Sequence, residues 1–356
     1  MRSTFAGFAV LIAAMLAGCD SGDGKNNATD DGAAKSSTAN SSEAGEKRHK
    51  IAFVTNCVAD FWKIGEAGAM KAAQDLNVDV EVKMPPATGG TAPNQKRILE
   101  QLMNKGVEAF AVSPADPANQ TDLLNEIAKN SKLITHDSDA PDSNRLLYVG
   151  MSNYDAGRMV GELVKEAIPD GGNVILFIGS IEQDNGRLRR QGVIDELLDR
   201  SHDPKRYDAP DEEVGNDKYT ILATRVDDFD EARKKQQPEQ ALVKYDKIDC
   251  MVGLFEYNPP FILDALTTNG KIGQIKVVGF DENPRTLEEI KKGNCVGTVV
   301  QDPFNYGYKS VEILTKMLNG DDEFSGKEFV DIPARKITKE NVEEFQKNLQ
   351  ELLGSN

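Results

Sequence analysis

The residues best placed to do chemistry are polar side chains that each follow a short apolar run. Asn56 comes after residues 51–54, Ser113 after 109–112, and Asp137 with Ser138 after 132–135. Asn258, Asp281 and Gln301 recur later in the same setting, and Arg187 and Arg189 stand near the start of a helical stretch that follows a run. The adjacent aromatics Phe61 and Trp62, the latter the only Trp, lie just beyond Asn56. Taken singly, each polar residue looks like a helix cap or turn former, and the aromatic pair like first core contacts of a helix. Together they supply aromatic faces and charge-assisted hydrogen-bond partners, which a small ring with C–H faces and hydroxyl edges requires. That is binding chemistry. GxSxG, HExxH, Walker and GxGxxG patterns are absent, and His49, His136 and His202 are scattered, so no enzyme activity, cofactor or metal is expected.

The elements that position these residues alternate. Residues 51–54, 78–82, 109–112, 132–135 and 146–149 read as strands, separated by helical spacing at 64–76, 94–105 and 117–130. The first run has no two-residue alternation, which suits a parallel strand buried on both faces. The pattern then restarts, with helices at 156–168, 186–198, 231–245 and 306–318 and strands at 173–178, 221–226, 250–254, 275–279 and 297–300. The fold class is therefore α/β, with two similar Rossmann-like open parallel-sheet domains whose strand ends face one cleft. One acidic segment, 201–219, falls outside the repeat and reads as a solvated surface loop; a calcium site there is possible on composition, but the EF-hand ligand order is missing.

A chain of 356 residues is long enough for two cores, and a net charge of −16 with a pI near 4.8 argues against nucleic acid as a partner. Residues 1–19 read as a signal peptide, with Arg2, a short apolar stretch and Leu16-Ala17-Gly18-Cys19. Those four residues resemble the bacterial lipoprotein lipobox, which implies cleavage before Cys19 and its lipidation; the alternative is an ordinary cleaved signal with Cys19 incidental. Residues 20–47 are polar and read as a disordered tether, and no later stretch approaches the ~20 apolar residues of a membrane span. Cys57, Cys250 and Cys295 remain, and no essential disulfide is expected among them.

Several motifs occur in an order that resembles the periplasmic sugar-binding proteins of ABC transporters, in the ribose-binding branch of the type I periplasmic-binding fold. They are IAFVTN and DFW near the start, VSPAD at 112–116, LITHDSDAP at 133–141, VGMSNYDAGRMVGE at 149–162, RLRRQG at 187–192, VVGFDENP at 277–284 and VGTVVQDPFNYGY at 296–308. The resemblance implies polar contacts from Asn56, Ser113, Asp137 and Ser138, an aromatic clamp at Phe61 and Trp62, and second-domain contacts from Arg189, Asn258, Asp281 and Gln301. Arg187 is a weaker candidate, and Phe255 and Tyr257 could form a second aromatic wall or simply core. Ser138 stands where the branch usually has Arg, and Ser113 where it commonly has Asn, which puts ribose itself in doubt.

The resemblance also implies a three-strand hinge, crossed near Asn153, Gln301 and Asp331. Domain one would span 48–152 plus 302–331, and domain two 153–301 plus 332–356. The implied function is a monomeric, lipid-anchored periplasmic receptor that hands a pentose, hexose or polyol to an ABC transporter permease. A sensor of the same fold that docks on a histidine kinase or chemoreceptor is the main alternative. A lactose-repressor-type regulator is disfavoured by the export signal and the lack of an N-terminal helix-turn-helix.

Overall fold

The computed structural model describes residues 48–354, so the signal peptide, the tether and Cys19 lie outside the described residues. Strands and helices alternate through the first half as β1 (Lys50–Val54), α1 (Asp60–Leu76), β2 (Asp79–Lys83), α2 (Thr91–Asn104), β3 (Ala109–Val112), α3 (Pro117–Asn130), β4 (Lys132–His136) and β5 (Tyr148–Gly150). They continue as α4 (Asn153–Ala167), β6 (Gly172–Ile178), α5 (Asp184–Leu197), β7 (Val214–Gly215), β8 (Tyr219–Val226), α6 (Glu231–Lys244) and β9 (Cys250–Gly253). Then come α7 (Asn258–Thr268), β10 (Lys276–Phe280), α8 (Pro284–Lys292), β11 (Gly297–Val300), α9 (Pro303–Leu318), β12 (Phe329–Asp331), β13 (Arg335–Thr338) and α10 (Val342–Gly354).

These strands make two sheets, ordered β12-β5-β4-β3-β1-β2 and β13-β11-β10-β9-β6-β8-β7. All pairings are parallel except β11 with β13 and β7 with β8. The central strands β3 and β9 are buried at every residue, because helices cover both faces, and for that reason they read as unbroken apolar runs. The chain passes from the first sheet to the second between β5 and α4, returns between β11 and α9, and leaves again between β12 and β13.

Two helix crossings set the height of the first turns of α1 and α5. Across α1 and α9, a Cβ at Gly307 would lie 1.9 Å from the carbonyl oxygen of Gly65. Across α4 and α5, a Cβ at Gly157 would lie 2.1 Å from the carbonyl oxygen of Arg189. Backbone meets backbone at both places, so only glycine permits the approach.

Three sequence expectations change. Helix α1 begins at Asp60 rather than near 64, which puts Phe61 and Trp62 inside its first turn, and α10 was not foreseen at all. The acidic segment is less solvated than expected, since Arg190, 1% exposed, donates to the carbonyls of Asp208 and Ala209 within it. Cys57, Cys250 and Cys295 are free thiols. Among the described residues, no helix is long and apolar enough to cross a membrane.

Replacing Gly307 by Ala forces α1 and α9 apart and is expected to cost roughly 1–3 kcal/mol, as overpacking does. Urea unfolding of the variant reads this directly, and an unchanged midpoint would mean that the crossing is not tight.

Candidate functional site

The strand ends of the first sheet hold one carboxylate. Asp137 directly follows β4 with φ +58°, a left-handed corner that Asp tolerates better than most residues, and its N–H donates to the Val149 carbonyl at 3.0 Å. Its Oδ2 accepts from Ser113 Oγ at 3.1 Å and from Asn56 Nδ2 at 3.3 Å. Asn56 is in turn oriented by the Trp62 indole N–H, which donates to its Oδ1 at 2.9 Å. The Tyr148 hydroxyl braces the corner by donating to the Asp137 carbonyl at 2.8 Å.

The second sheet repeats the device. Asp281 follows β10 with φ +61°, and its N–H donates to the Val299 carbonyl at 2.8 Å. Gln301 donates to its Oδ1 at 3.1 Å and accepts at 3.2 Å from the Tyr306 hydroxyl. Between the two carboxylates stands Arg189 on α5, 4% exposed. Its Nε donates to Asn153 Oδ1 at 2.9 Å and an Nη to the Leu254 carbonyl at 3.1 Å, and its guanidinium lies 3.9 Å over the Phe280 ring. These contacts fix a planar cation in one orientation.

A cavity of about 870 Å³ opens between the two sets of strand ends. Of the residues expected from sequence, Asn56, Asp137, Ser138, Arg189 and Gln301 line it. The others stand behind or beside it. Ser113 is fully buried beneath Asp137, and Asp281 is reached through Gln301. Trp62, expected as half of a clamp, is instead 2% exposed in the core, edge-on to Phe53, Phe61 and His136; only half-buried Phe61 is left near the surface. The amide of Asn258 is used up within its own lobe, accepting from the Phe255 N–H and donating to Asp227. Arg187 is tied to Asp184 at the cavity rim.

The sequence reading passed over several lining residues, Tyr148, Leu188 and Pro204 among them, and also Asp227 and Phe229, which stand outside the lining. Asp227, 2% exposed, accepts from the Tyr257 hydroxyl and from the N–H of Phe229. Phe229, with φ +60° and 39% exposure, meets Phe255 edge-on at 5.6 Å and completes an aromatic cluster with Tyr257. The signal was present, because Asp227 follows a strand as the other polar residues do.

Burial dominates the electrostatics. It pushes Asp137 up to about 6 from the usual 3.8, against the pull of Ser113, Arg189 and Asn56 and with added push from Asp281. Asp281 is likewise raised by burial, with Arg189 opposing. Its neighbour Glu282 rises to about 8, through burial and then through Asp281 and Glu256. His136, stacked on Phe53 at 4.2 Å, is fully buried and pulled down to about 3, so it is a neutral core residue. Among the described residues, no group of His, Cys, Asp or Glu is arranged to hold a metal ion, in the acidic segment or elsewhere.

The sign of the Asp137 shift makes a prediction about stability. Between its usual 3.8 and about 6 the folded chain holds a proton that the unfolded chain has lost, so this group's contribution falls as pH rises through that window. At pH 7 the ionised carboxylate weakens the fold, and Asp137→Asn is expected to stabilise the ligand-free protein by on the order of 1–2 kcal/mol. Thermal unfolding at pH 4 and pH 7 checks it: the gain should appear at pH 7 and vanish at pH 4.

Residues 51–322 match the periplasmic binding protein domain. The chain is 23% identical to the ribose import binding protein of Salmonella typhimurium over 63% of this chain and 70% of that one. Among solved structures it is similar to a glucose-galactose binding protein from Geobacillus stearothermophilus, with 24% identity and TM-score 0.69 over 83% of this chain and 99% of that one. It is also similar to a chain of the XylFII–LytSN complex, with 22% identity and TM-score 0.65 over 83% and 99%. The matched span, the two parallel sheets with their three crossings, and the cavity at the facing strand ends agree, and this chain belongs to the periplasmic binding protein family, with the ribose-binding-like type I fold.

Proposed function

We propose that this protein captures a small neutral carbohydrate between its lobes and delivers it to an ABC importer. The observation that carries the reading is the matched pair of left-handed corners, Asp137 and Asp281, flanking buried Arg189 at the cavity floor. Carboxylates accept from vicinal hydroxyls and a guanidinium donates to ring and hydroxyl oxygens, so Asp137 and Arg189 can grip one sugar edge while Asp281 orients Gln301 from behind. Asn56, Ser138 and Gln301 add neutral partners, with Ser113, Asn258 and the core-packed Trp62 holding the frame behind them. The ribose, allose, arabinose and glucose-galactose binding proteins among its relatives and structural neighbours support a monosaccharide-sized core ligand.

In this reading the lobes are 48–152 with 302–331 and 153–301 with 332–356, and they hinge near Asn153, Gln301 and Asp331. Ligand touching both lobes binds the closed form better, which is the differential affinity that drives closure. Cleavage before Cys19 and its lipidation would anchor the chain outside the cytoplasmic membrane, with residues 20–47 as the tether. The protein acts as a monomer without catalytic turnover. A second reading, a receptor reporting occupancy to a membrane kinase, is favoured by the likeness to XylFII in complex with LytSN.

A thermal-shift screen of residues 48–356 against pentoses, hexoses and polyols tests the reading, since a ligand that binds only the folded state raises its apparent stability. No shift with any sugar would refute it. Asp137→Ala and Arg189→Ala should each cost about 1.5–3 kcal/mol of affinity by calorimetry, the worth of a charge-assisted hydrogen bond, while the fold persists. With Asp137 titrating at about 6, the ionised acceptor is lost in acid, and affinity at pH 5 should be about tenfold below that at pH 7.5.

A further inference from the structure

The two lobes differ at one connection. α1 and β2 are joined by Asn77 and Val78 alone, whereas residues 198–218 separate α5 from β8. That insertion is held by buried polar groups. Asp195, fully buried, accepts from the Tyr154 hydroxyl at 2.6 Å and lies 2.7 Å from Arg206 of the insertion. The same hydroxyl accepts from the Asp203 N–H at 3.1 Å, while Arg190 donates to Thr224 Oγ1 and to the carbonyls of Asp208 and Ala209. Burying charges is costly unless they are paired, and a loop that merely closed a gap would not need such anchoring. What the anchoring holds in place is Pro204, which follows Asp203 and forms part of the cavity wall.

Pro204 lies on the same cavity as Asp137 and Arg189, with Leu188 from α5 also on the wall and Pro117, Ala118 and Thr121 from α3 in the other lobe. These five side chains are apolar or neutral and are supplied by both lobes. At about 870 Å³ the cavity falls near the top of the roughly 300–1,000 Å³ span of ligand pockets, more than a single sugar ring needs. Arg189 is the one Lys or Arg among the lining residues described, against carboxylates at Asp116, Asp139, Asp142, Glu182 and Asp184 in addition to Asp137. A phosphate or uronic acid would meet repulsion there.

We infer that the cavity has a second compartment, walled by Pro204 and Leu188 opposite the start of α3, which takes a second neutral sugar ring, so that the preferred ligand is a neutral disaccharide. This rests on the carbohydrate-receptor reading and names its ligand class. Apolar proline and leucine surfaces suit the C–H faces of the outer ring, while Asp137 and Arg189 grip the hydroxyl-rich edge of the inner one.

Calorimetry of residues 48–356 with matched pairs tests it: glucose with cellobiose and maltose, galactose with galactobiose, xylose with xylobiose, and arabinose with arabinobiose. One disaccharide should bind at least tenfold tighter than its own monosaccharide. Thr121→Arg, which fills the compartment from the α3 side without touching the insertion, and Pro204→Asp should each erase that advantage and leave monosaccharide affinity within twofold. If a monosaccharide binds and no disaccharide exceeds it, or if the advantage survives both variants, the second compartment is refuted and the receptor reading stands. If neither member of any pair binds, the second compartment is refuted, and the receptor reading stands or falls on the wider thermal-shift screen.

Discussion

The site depends on one electrostatic arrangement, a buried guanidinium serving two half-buried carboxylates that face it from different sheets. Arg189 feels both Asp281 and Asp137, and each carboxylate is drawn down by Arg189 while burial drives it up. One cation cannot fully satisfy two such anions, and burial wins at both. The floor of the cavity therefore carries unspent hydrogen-bond capacity, held where water is scarce. Such capacity is costly to the empty protein and useful to one that binds a donor-rich ligand.

Within each half of the site, backbone sets the position of the members. Both aspartates occupy left-handed corners whose N–H is fixed by the neighbouring strand, Val149 in one sheet and Val299 in the other. Arg189 is carried on α5, whose height is set by its carbonyl oxygen lying against Gly157. Asn153, which opens α4 after the first sheet-to-sheet passage, accepts from the same guanidinium. A relative movement of the lobes about the crossings changes the distances across the cavity without changing either half of the site.

The fold was legible because parallel strands buried on both faces write themselves as short apolar runs, and residues 51–54, 109–112 and 250–254 do so plainly. The polar residues after them were legible for the same topological reason, and Asn56, Asp137, Ser138, Arg189 and Gln301 all line the cavity. What pattern could not supply was depth. Trp62 has the composition of a clamp, but in the first turn of α1 its ring packs on Phe53 and His136, and only its indole N–H communicates with Asn56. Asn258 likewise reads as a ligand contact, yet its amide is consumed by Phe255 and Asp227. Phe229 was missed because it rides on a two-residue left-handed turn, Asp228 and Phe229, that no periodicity marks.

The acidic segment shows the limit of reading charge as solvation. Its composition says surface, and several of its carboxylates are indeed exposed. Its role is set by partners far away in sequence, because Arg190 and Asp195 on α5 are buried only if the segment covers them. Without it Arg190 would lose the Asp208 and Ala209 carbonyls and Asp195 would lose Arg206, leaving each with only part of its pairing. The segment is thus part of the second lobe's structure, and through Pro204 it gives the cavity part of its wall.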